Sequence, residues 1–300
     1  MRCLVTGGAG SLGTAVCSRL LRDGHAVVIY DLAPSRLTDG RLASVQGDIN
    51  DDLRLVQTIA DHHLDTIFHL ASLLSIESST DPVAAVRINS GGMATVLEVA
   101  RTVGARKVVW ASSNGVFARY NSPAPIANDS VAYYPNNVYA GTKVLNELLA
   151  KHYADTHGLD VIGLRLTLMM GTAKPRGRSG EVSAQLVENP LAGRPGRVRY
   201  GDDIPSWLWV DDAARALVLA AMTGRTKSNL FNISGDTRSF SDAVRIVRGL
   251  IPGADITLEP GYYVTPHGID TQTVEEELGF YFEWTLEKQL AELINRARER

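Results

Sequence analysis

Val5-Thr6-Gly7-Gly8-Ala9-Gly10-Ser11-Leu12-Gly13 follows the apolar run Cys3 to Thr6 and opens an amphipathic stretch near 11–22. Such a passage reads as a strand that turns on glycines into a helix. The chemistry explains the glycines. Gly7 permits a tight turn, Gly10 lets the backbone approach a pyrophosphate, and Gly13 lets helix and strand pack closely. Ser11 and Leu12 then begin a helix whose N-terminus stabilises negative charge. A glycine triplet also occurs in ordinary strand-to-helix turns, so its meaning depends on what surrounds it.

Outward from that turn, short apolar runs alternate with longer helical patterns. Ala26 to Tyr30, Ala43 to Gln46, Thr66 to Leu70, Lys107 to Ala111 and Val161 to Leu166 read as buried strands. Amphipathic stretches near 51–62, 82–103 and 138–157 supply the crossovers that a parallel sheet needs. The alternation predicts an α/β, doubly wound parallel sheet of Rossmann-like type over 1–168. Residues 169–300 are expected to form a smaller C-terminal substrate lobe. Within it 172–206 is rich in Gly, Pro and Arg and reads as irregular, a helix resumes at Asp211, and Leu230 to Ile233 is strand-like. Helices follow near 241–249 and 286–299, around a Gly/Pro-rich segment at 252–268, so the chain is expected to re-enter the core near 207–235.

Composition narrows the classes. The 300 residues are 45% hydrophobic and 21% charged, an ordinary globular balance. Thirty basic against thirty-three acidic residues leave a formal charge of -3, so no overall field favours nucleic acid or an anionic membrane. No apolar run approaches the roughly 18 residues of a membrane span. Cys3 and Cys17, the two cysteines, fall in the first apolar run and the helix after it, which suits buried thiols in a reducing cytoplasm better than a bridge. His62, His63, His69 and His267 have no metal-ligand spacing, and no metal is expected.

Asp31 follows the second apolar run at about the 20-residue distance from the glycine turn where a ribose-binding acid is expected. Its charge would repel the 2′-phosphate of NADP and favour NAD, with Arg36 nearby as the opposing influence. Asp48-Ile49 is either an adenine contact or, for Asp48, the N-cap of the helix near 51–62. Tyr139 and Lys143 are four apart in a helical stretch, so both leave one face. Ser112-Ser113 ends the fifth strand at the carboxyl edge of the sheet, where open α/β folds bind ligands. A nearby ammonium and an oxidised nicotinamide would favour the Tyr139 phenolate as a base. Ser113 would hold the same substrate oxygen, and Lys143 would also hold the cofactor ribose. The packing alternatives are a helix-packing tyrosine and a turn serine.

Gly7-x-x-Gly10-x-x-Gly13, Asp31, Asp48-Ile49, His69-Leu70-Ala71-Ser72, Asn89, Ser112-Ser113-Asn114-Gly115-Val116-Phe117, Tyr139-x-x-x-Lys143 and Val210-Asp211-Asp212 together resemble the extended short-chain dehydrogenases/reductases, the NAD-dependent epimerase/dehydratase group. The resemblance spans nearly the whole chain. It implies NAD as cofactor, a cofactor pocket lined by Leu70, Ala71, Ser72 and Leu166, catalysis by Ser113, Tyr139 and Lys143, and a homodimer through the helices near 82–103 and 138–157.

Nucleotide-sugar members carry an asparagine after the sixth strand and an Arg-Asp pair before the late Val-Asp-Asp. Here Leu168 and Pro205-Ser206 stand in those places. Asp65 to Ser75 and Val96 to Ala100 look like the short-chain L-threonine dehydrogenases, although Arg178-Ser179-Gly180-Glu181 replaces their Gly-Thr-Thr. Lys174-Pro175 and Glu188 to Gly193 look like the sugar-acid dehydrogenases. Both neighbours oxidise a secondary alcohol on a small acid, so the resemblance implies an NAD-dependent dehydrogenase acting on a small, polar, anionic substrate. Ser75, Asn114, Thr167, Arg176 and Arg178 are the candidate substrate contacts. Lys174, Arg176, Arg178, Arg194, Arg197 and Arg199 read as a largely solvated basic loop from which one or two could meet an anion. The alternatives are a nucleotide-sugar 4-epimerase or dehydratase, and a non-catalytic NAD-sensing scaffold.

Overall fold

The computed structural model describes residues 1–117, 132–171, 177–201, 203–261 and 268–299. The chain runs β1 (Arg2–Thr6), α1 (Ser11–Arg22), β2 (Ala26–Asp31), β3 (Leu42–Gln46), α2 (Asp52–His62) and β4 (Thr66–His69). It continues with α3 (Ser75–Thr80), α4 (Pro82–Ala85), α5 (Gly92–Val103), β5 (Lys107–Ser113), α6 (Val138–His157) and β6 (Val161–Leu166). Then come β7 (Leu168–Met170), α7 (Gly177–Ser183), α8 (Asn189–Leu191), β8 (Gly196–Val198), β9 (Ser206–Trp209) and α9 (Val210–Met222). The last elements are β10 (Leu230–Ile233), β11 (Asp236–Thr237), α10 (Phe240–Leu250), β12 (Ile256–Leu258), α11 (Gln272–Leu278) and α12 (Leu286–Arg298).

Seven strands form one parallel sheet in the order β10-β6-β5-β4-β1-β2-β3. β4 and β6 are buried along their whole length, as a strand covered on both faces must be. One face packs on α1, α9 and α11 through Leu20, Leu217 and Leu278; the other packs on α2, α5 and α6 through Ile59, Leu97 and Ala150. The chain order reverses at β1, with β2 and β3 to one side and β4 to the other. That reversal opens a crevice at the strands' carboxyl ends.

The chain leaves the sheet after β6 and returns at β10, which pairs with β6. In between, β7, β9 and β11 form a three-stranded sheet, and β8 pairs with β12. Residues 172–206 are therefore not irregular as expected: α7, a π-helical turn at Ala184–Glu188, α8 and β8 occupy the described part. Val182, Leu186 and Val187 anchor this stretch in a second core with Trp207, Trp209, Phe240 and Leu290, so tertiary burial overrides its glycines. The Gly/Pro-rich segment at 252–268 likewise contains a strand, β12. The 82–103 pattern is not one helix, because a π-helical turn, Val86–Gly91, separates α4 from α5.

Trp207 and Trp209 are both fully buried. Their indole N–H groups donate to the Arg238 carbonyl and the Asp211 carboxylate. Asp212 is buried and accepts from the backbone N–H groups of Glu283 and Trp284 and from Arg215, which pins the segment before α12 to α9. Cys3 and Cys17 are free and buried, and burial pushes both thiols up to about 12. No described helix is long and apolar enough to cross a membrane.

Lys107 is fully buried at the start of β5. Its ammonium donates to the carbonyls of Ala220, Thr223 and Gly224 and pairs with Asp160 at 3.2 Å, capping the C-terminus of α9. Lys107→Met keeps the apolar stem but leaves those acceptors unmet. It is expected to lower unfolding free energy by about 2–4 kcal/mol, read as a shifted midpoint in denaturant.

Candidate active site

Gly7 sits at φ +71°, and a Cβ there would stand 2.6 Å from the Ala71 backbone nitrogen. A Cβ on Gly13 would stand 2.2 Å from the Gly7 carbonyl oxygen. No larger side chain fits either place. Gly10 itself precedes α1, and the first turn of that helix carries no acidic residue, so its end is electropositive. The cradle fits a dinucleotide pyrophosphate.

Asp31 ends β2 beside this loop. Its carboxylate accepts from the Ala9 N–H at 3.0 Å and the Ala33 N–H at 2.9 Å, which fixes it against the glycine turn, while Arg36 is exposed. Asp31→Ala is expected to weaken NAD binding by about tenfold or more and to narrow the preference over NADP, because an acceptor and a like-charge repulsion disappear together. Titration with each dinucleotide checks it; unchanged discrimination would remove Asp31 from the site.

Asp48 does not cap α2: Asp51 does, accepting from the Arg54 N–H, while Asp48 accepts from the Asn50 backbone and side chain. α2 begins at Asp52, so Asp51 is the residue whose carboxylate reaches the free N–H. Ile49 is buried and packs where Gly92 leaves room on α5. Like Asp31, neither is among the described residues that line the central cavity, and the Ala71 backbone stands against Gly7.

Around the crevice the structure gathers Gly7, Gly10, Ser11, Leu12, Gly13, Leu70, Ser72, Ser113, Tyr139 and Leu166 into the wall of one cavity of about 460 Å³. Tyr139 and Lys143 lie one turn apart on α6, with the Lys143 nitrogen 5.5 Å from the Tyr139 ring centroid. That nitrogen is buried and donates to the Ala111 carbonyl at 2.9 Å. Ser113, at the end of β5, is hydrogen-bonded to Tyr139 and also accepts from the Gly115 N–H.

The ionisation differs from expectation. Burial pushes the Tyr139 phenol up to about 12, with the Ser113 hydrogen bond pulling against it. Lys143 is itself desolvated. Burial pulls it down to about 8, and the Glu147 carboxylate one turn further along α6 supports its charge. Glu147 accepts from the Ser112 hydroxyl at 2.6 Å and forms a buried ion pair with Arg165 at 2.8 Å, which clamps α6 to β5 and β6. Arg165 also lies over the Phe117 and Tyr133 rings. His69, at the end of β4, is pulled down to about 3 by burial and by the Lys143 charge, and bonds Thr6. It stays neutral.

Asn89 stands in the π-helical turn. Its side-chain oxygen accepts from the Leu73 N–H, and its amide donates to the Leu73 carbonyl and the Thr142 hydroxyl. It therefore brackets the cofactor-side segment to the residue before Lys143.

α3 and α7 contribute to the cavity wall, and Ser75, Asn114, Thr167 and Arg178 are among its lining residues. Lys174, Arg176 and His267 lie outside the described residues. Arg194, Arg197 and Arg199 are exposed away from the cavity, which suits a solvated basic face. Sequence reasoning missed Leu74, Glu77, Asn136, Asn137, Met169 and Ser179 in the wall. A short helix following the cofactor segment was the available signal for the first two. No group of three or more metal-ligating side chains occurs among the described residues.

Residues 3–234 match the NAD dependent epimerase/dehydratase family. A D-erythronate dehydrogenase of Cupriavidus necator is 29% identical over 283 residues, 86% of each chain. A UDP-glucose 4-epimerase of Mycolicibacterium smegmatis is 35% identical over 233 residues, 73% of each. A holo-form L-threonine dehydrogenase structure, also from Cupriavidus necator, shares the fold at TM-score 0.89 and 22% identity, covering 98% of this chain and 99% of that one. With its glycine cradle, parallel sheet and family match, the chain belongs to the NAD dependent epimerase/dehydratase family and is an NAD-dependent oxidoreductase of the extended short-chain dehydrogenase type.

Proposed function

We propose that the chain is a dehydrogenase that oxidises a secondary hydroxyl of a small, polar, anionic substrate, with Ser113, Tyr139 and Lys143 as its catalytic residues. NAD, when bound, supplies the hydride acceptor. Tyr139 takes the hydroxyl proton at its phenolic oxygen, Ser113 holds the same substrate oxygen, and Lys143 supplies the positive charge that makes the phenolate accessible.

The observation that carries the reading is the cavity's composition. Its reacting side carries Ser113 and Tyr139, and Arg178 is the single cation among the described lining residues. A guanidinium in the wall suits a carboxylate. Leu168, buried in β7 and part of the cavity wall, brings no polar side chain, and Ser206 is bonded to Thr167 and Ser234, so neither position offers what seats a nucleotide diphosphate in nucleotide-sugar members. The 35% identical UDP-glucose 4-epimerase favours the rival reading, in which hydride returns to the sugar.

An NADH-monitored screen of sugar acids, hydroxy acids, amino acids and nucleotide sugars decides. Net NADH with a small acid supports dehydrogenation; interconversion of a nucleotide sugar without net NADH overturns it.

A two-fold dimer through α5 and α6 belongs to the same proposal. Leu145 and Leu148 are exposed on α6, as are Val83 and Val86 beside α5, an apolar face that an isologous four-helix contact would bury. A monomer in sedimentation at micromolar concentration would contradict it.

A further inference from the structure

Consecutive residues at the end of β5 each hold a residue of α6. The Ala111 carbonyl accepts from the Lys143 ammonium at 2.9 Å, the Ser112 hydroxyl donates to Glu147 at 2.6 Å, and Ser113 is hydrogen-bonded to Tyr139. Tyr139, Lys143 and Glu147 follow one another at single-turn spacing, so they share one face of the helix. Glu147 is buried, and both its oxygens are taken: Oε1 accepts from Ser112 and from the Arg165 Nε at 3.0 Å, Oε2 from the Arg165 Nη2 at 2.8 Å. Its carboxylate cannot swing. Apolar side chains of the same volume would hold helix to sheet as well as a buried ion pair does, so stability alone is a poor account of one placed beside the reacting groups.

We propose that Glu147 is a positioning residue of the reaction: through Ser112 it fixes the stretch of β5 that holds Tyr139 and Lys143, and its charge keeps Lys143 an ammonium while the neighbouring phenolate forms. The inference rests on the catalytic reading of Ser113, Tyr139 and Lys143 above and deepens it. Burial works against the ammonium, and the Glu147 carboxylate works against burial. The charges on neighbouring elements do not take its place. His69 of β4 is neutral, Arg165 of β6 is paired with Glu147 itself, and Lys107 stands at the opposite end of β5. Neither Glu77 of α3 nor Arg87 of the π-helical turn weighs on Lys143, and Glu98 of α5 is engaged with Arg101 and with Tyr153 far along α6.

The test compares Ser112→Ala, Glu147→Gln and the paired Glu147→Gln/Arg165→Gln with the unaltered protein. The Lys143 midpoint is read by NMR on protein isotope-labelled at lysine Cε, with Lys143→Met assigning the resonance. NADH production is followed against pH on trihydroxybutanoate stereoisomers and threonine, with NAD affinity and melting temperature measured alongside. Glu147→Gln should move the midpoint down by about one pH unit, because an opposite charge is lost, and should lower the rate plateau by about tenfold, because the phenolate–ammonium arrangement is disfavoured to the same extent. The paired variant leaves no guanidinium buried without its carboxylate. It should move the midpoint the same way, and it carries the test if the single variant does not fold. Ser112→Ala keeps the charge and cuts the tie, so kcat should fall by about tenfold while the midpoint and NAD affinity change little. An unmoved midpoint in the folded Glu147 variants, with only the melting temperature lowered, would make the pair a structural clamp and overturn the inference. Unchanged kcat in Ser112→Ala would overturn the tie through β5. Absence of NADH from every acid would fall on the dehydrogenase reading, and the NMR midpoint would still decide whether Glu147 holds the Lys143 charge.

Discussion

Tyr139→Phe is expected to lower turnover by on the order of 10²-fold or more while NAD affinity changes little. The substitution keeps the ring, which is half-buried in the cavity wall, and removes only the oxygen that bonds Ser113. The proton of the substrate hydroxyl then has no acceptor. Ser113 cannot replace it, since a serine hydroxyl is a far weaker base and this one is already tied to the Gly115 N–H. The loss should fall on kcat and kcat/KM alike, because the missing interaction belongs to the transition state rather than to binding. Packing should be preserved, as the phenolic oxygen leaves a surface open to the cavity and creates no large void. Steady-state NADH production on an identified substrate, with NAD titration alongside, checks both halves. Near-wild-type turnover would return Tyr139 to a packing role.

The cofactor side of the molecule is legible in its sequence because it is built from strands buried on both faces and from glycines that nothing else can replace. Val161 to Leu166 reads as a strand since every one of its residues is buried, and Gly7 and Gly13 are demanded by contacts a Cβ would violate. The substrate side is built differently. The helix Gly177-Arg-Ser-Gly-Glu-Val-Ser has no apolar period; it is held by Val182 and, just beyond it, Leu186 and Val187 entering a core shared with residues far along the chain. Glu77 sits in a six-residue helix, too short for periodicity to mark a face, and its place in the cavity wall is visible only once α3 and α7 come together. The ionisation of Tyr139 and Lys143 was hidden for the same reason. Spacing places Lys143 one turn from Tyr139, but the burial that pulls one down and pushes the other up depends on β5, β6 and the Glu147–Arg165 pair.

Lys143→Met is expected to change both the size and the pH dependence of the rate. In the unaltered protein burial brings Lys143 down to about 8 and takes Tyr139 up to about 12. With the Lys143 nitrogen 5.5 Å from the Tyr139 ring centroid, protons are expected to leave the pair in steps that belong to both. The first proton to leave gives a pair that holds one proton between phenol and amine. The arrangement with phenolate and ammonium is the one able to accept the substrate proton, and bound oxidised nicotinamide favours it by its positive charge. The rate of alcohol oxidation should therefore climb as pH rises towards about 8 and then level, since the active form is the pair that has lost one of its two protons. With methionine in place of lysine the phenol stands alone in its buried setting, without the neighbouring charge. Its ionisation remains high, so the rate should be at least about 10²-fold lower at neutral pH and should still be climbing at the alkaline end of the accessible range. NAD affinity should fall as well, because the ammonium is also the donor proposed for the cofactor ribose, which separates this variant from Tyr139→Phe. The measurement is kcat/KM against pH for both proteins on one substrate, with NAD titrated at each end. A profile in Lys143→Met that keeps the plateau and the midpoint of the unaltered enzyme would show that the lysine does not share the titration, and the phenolate would need another source of stabilising charge.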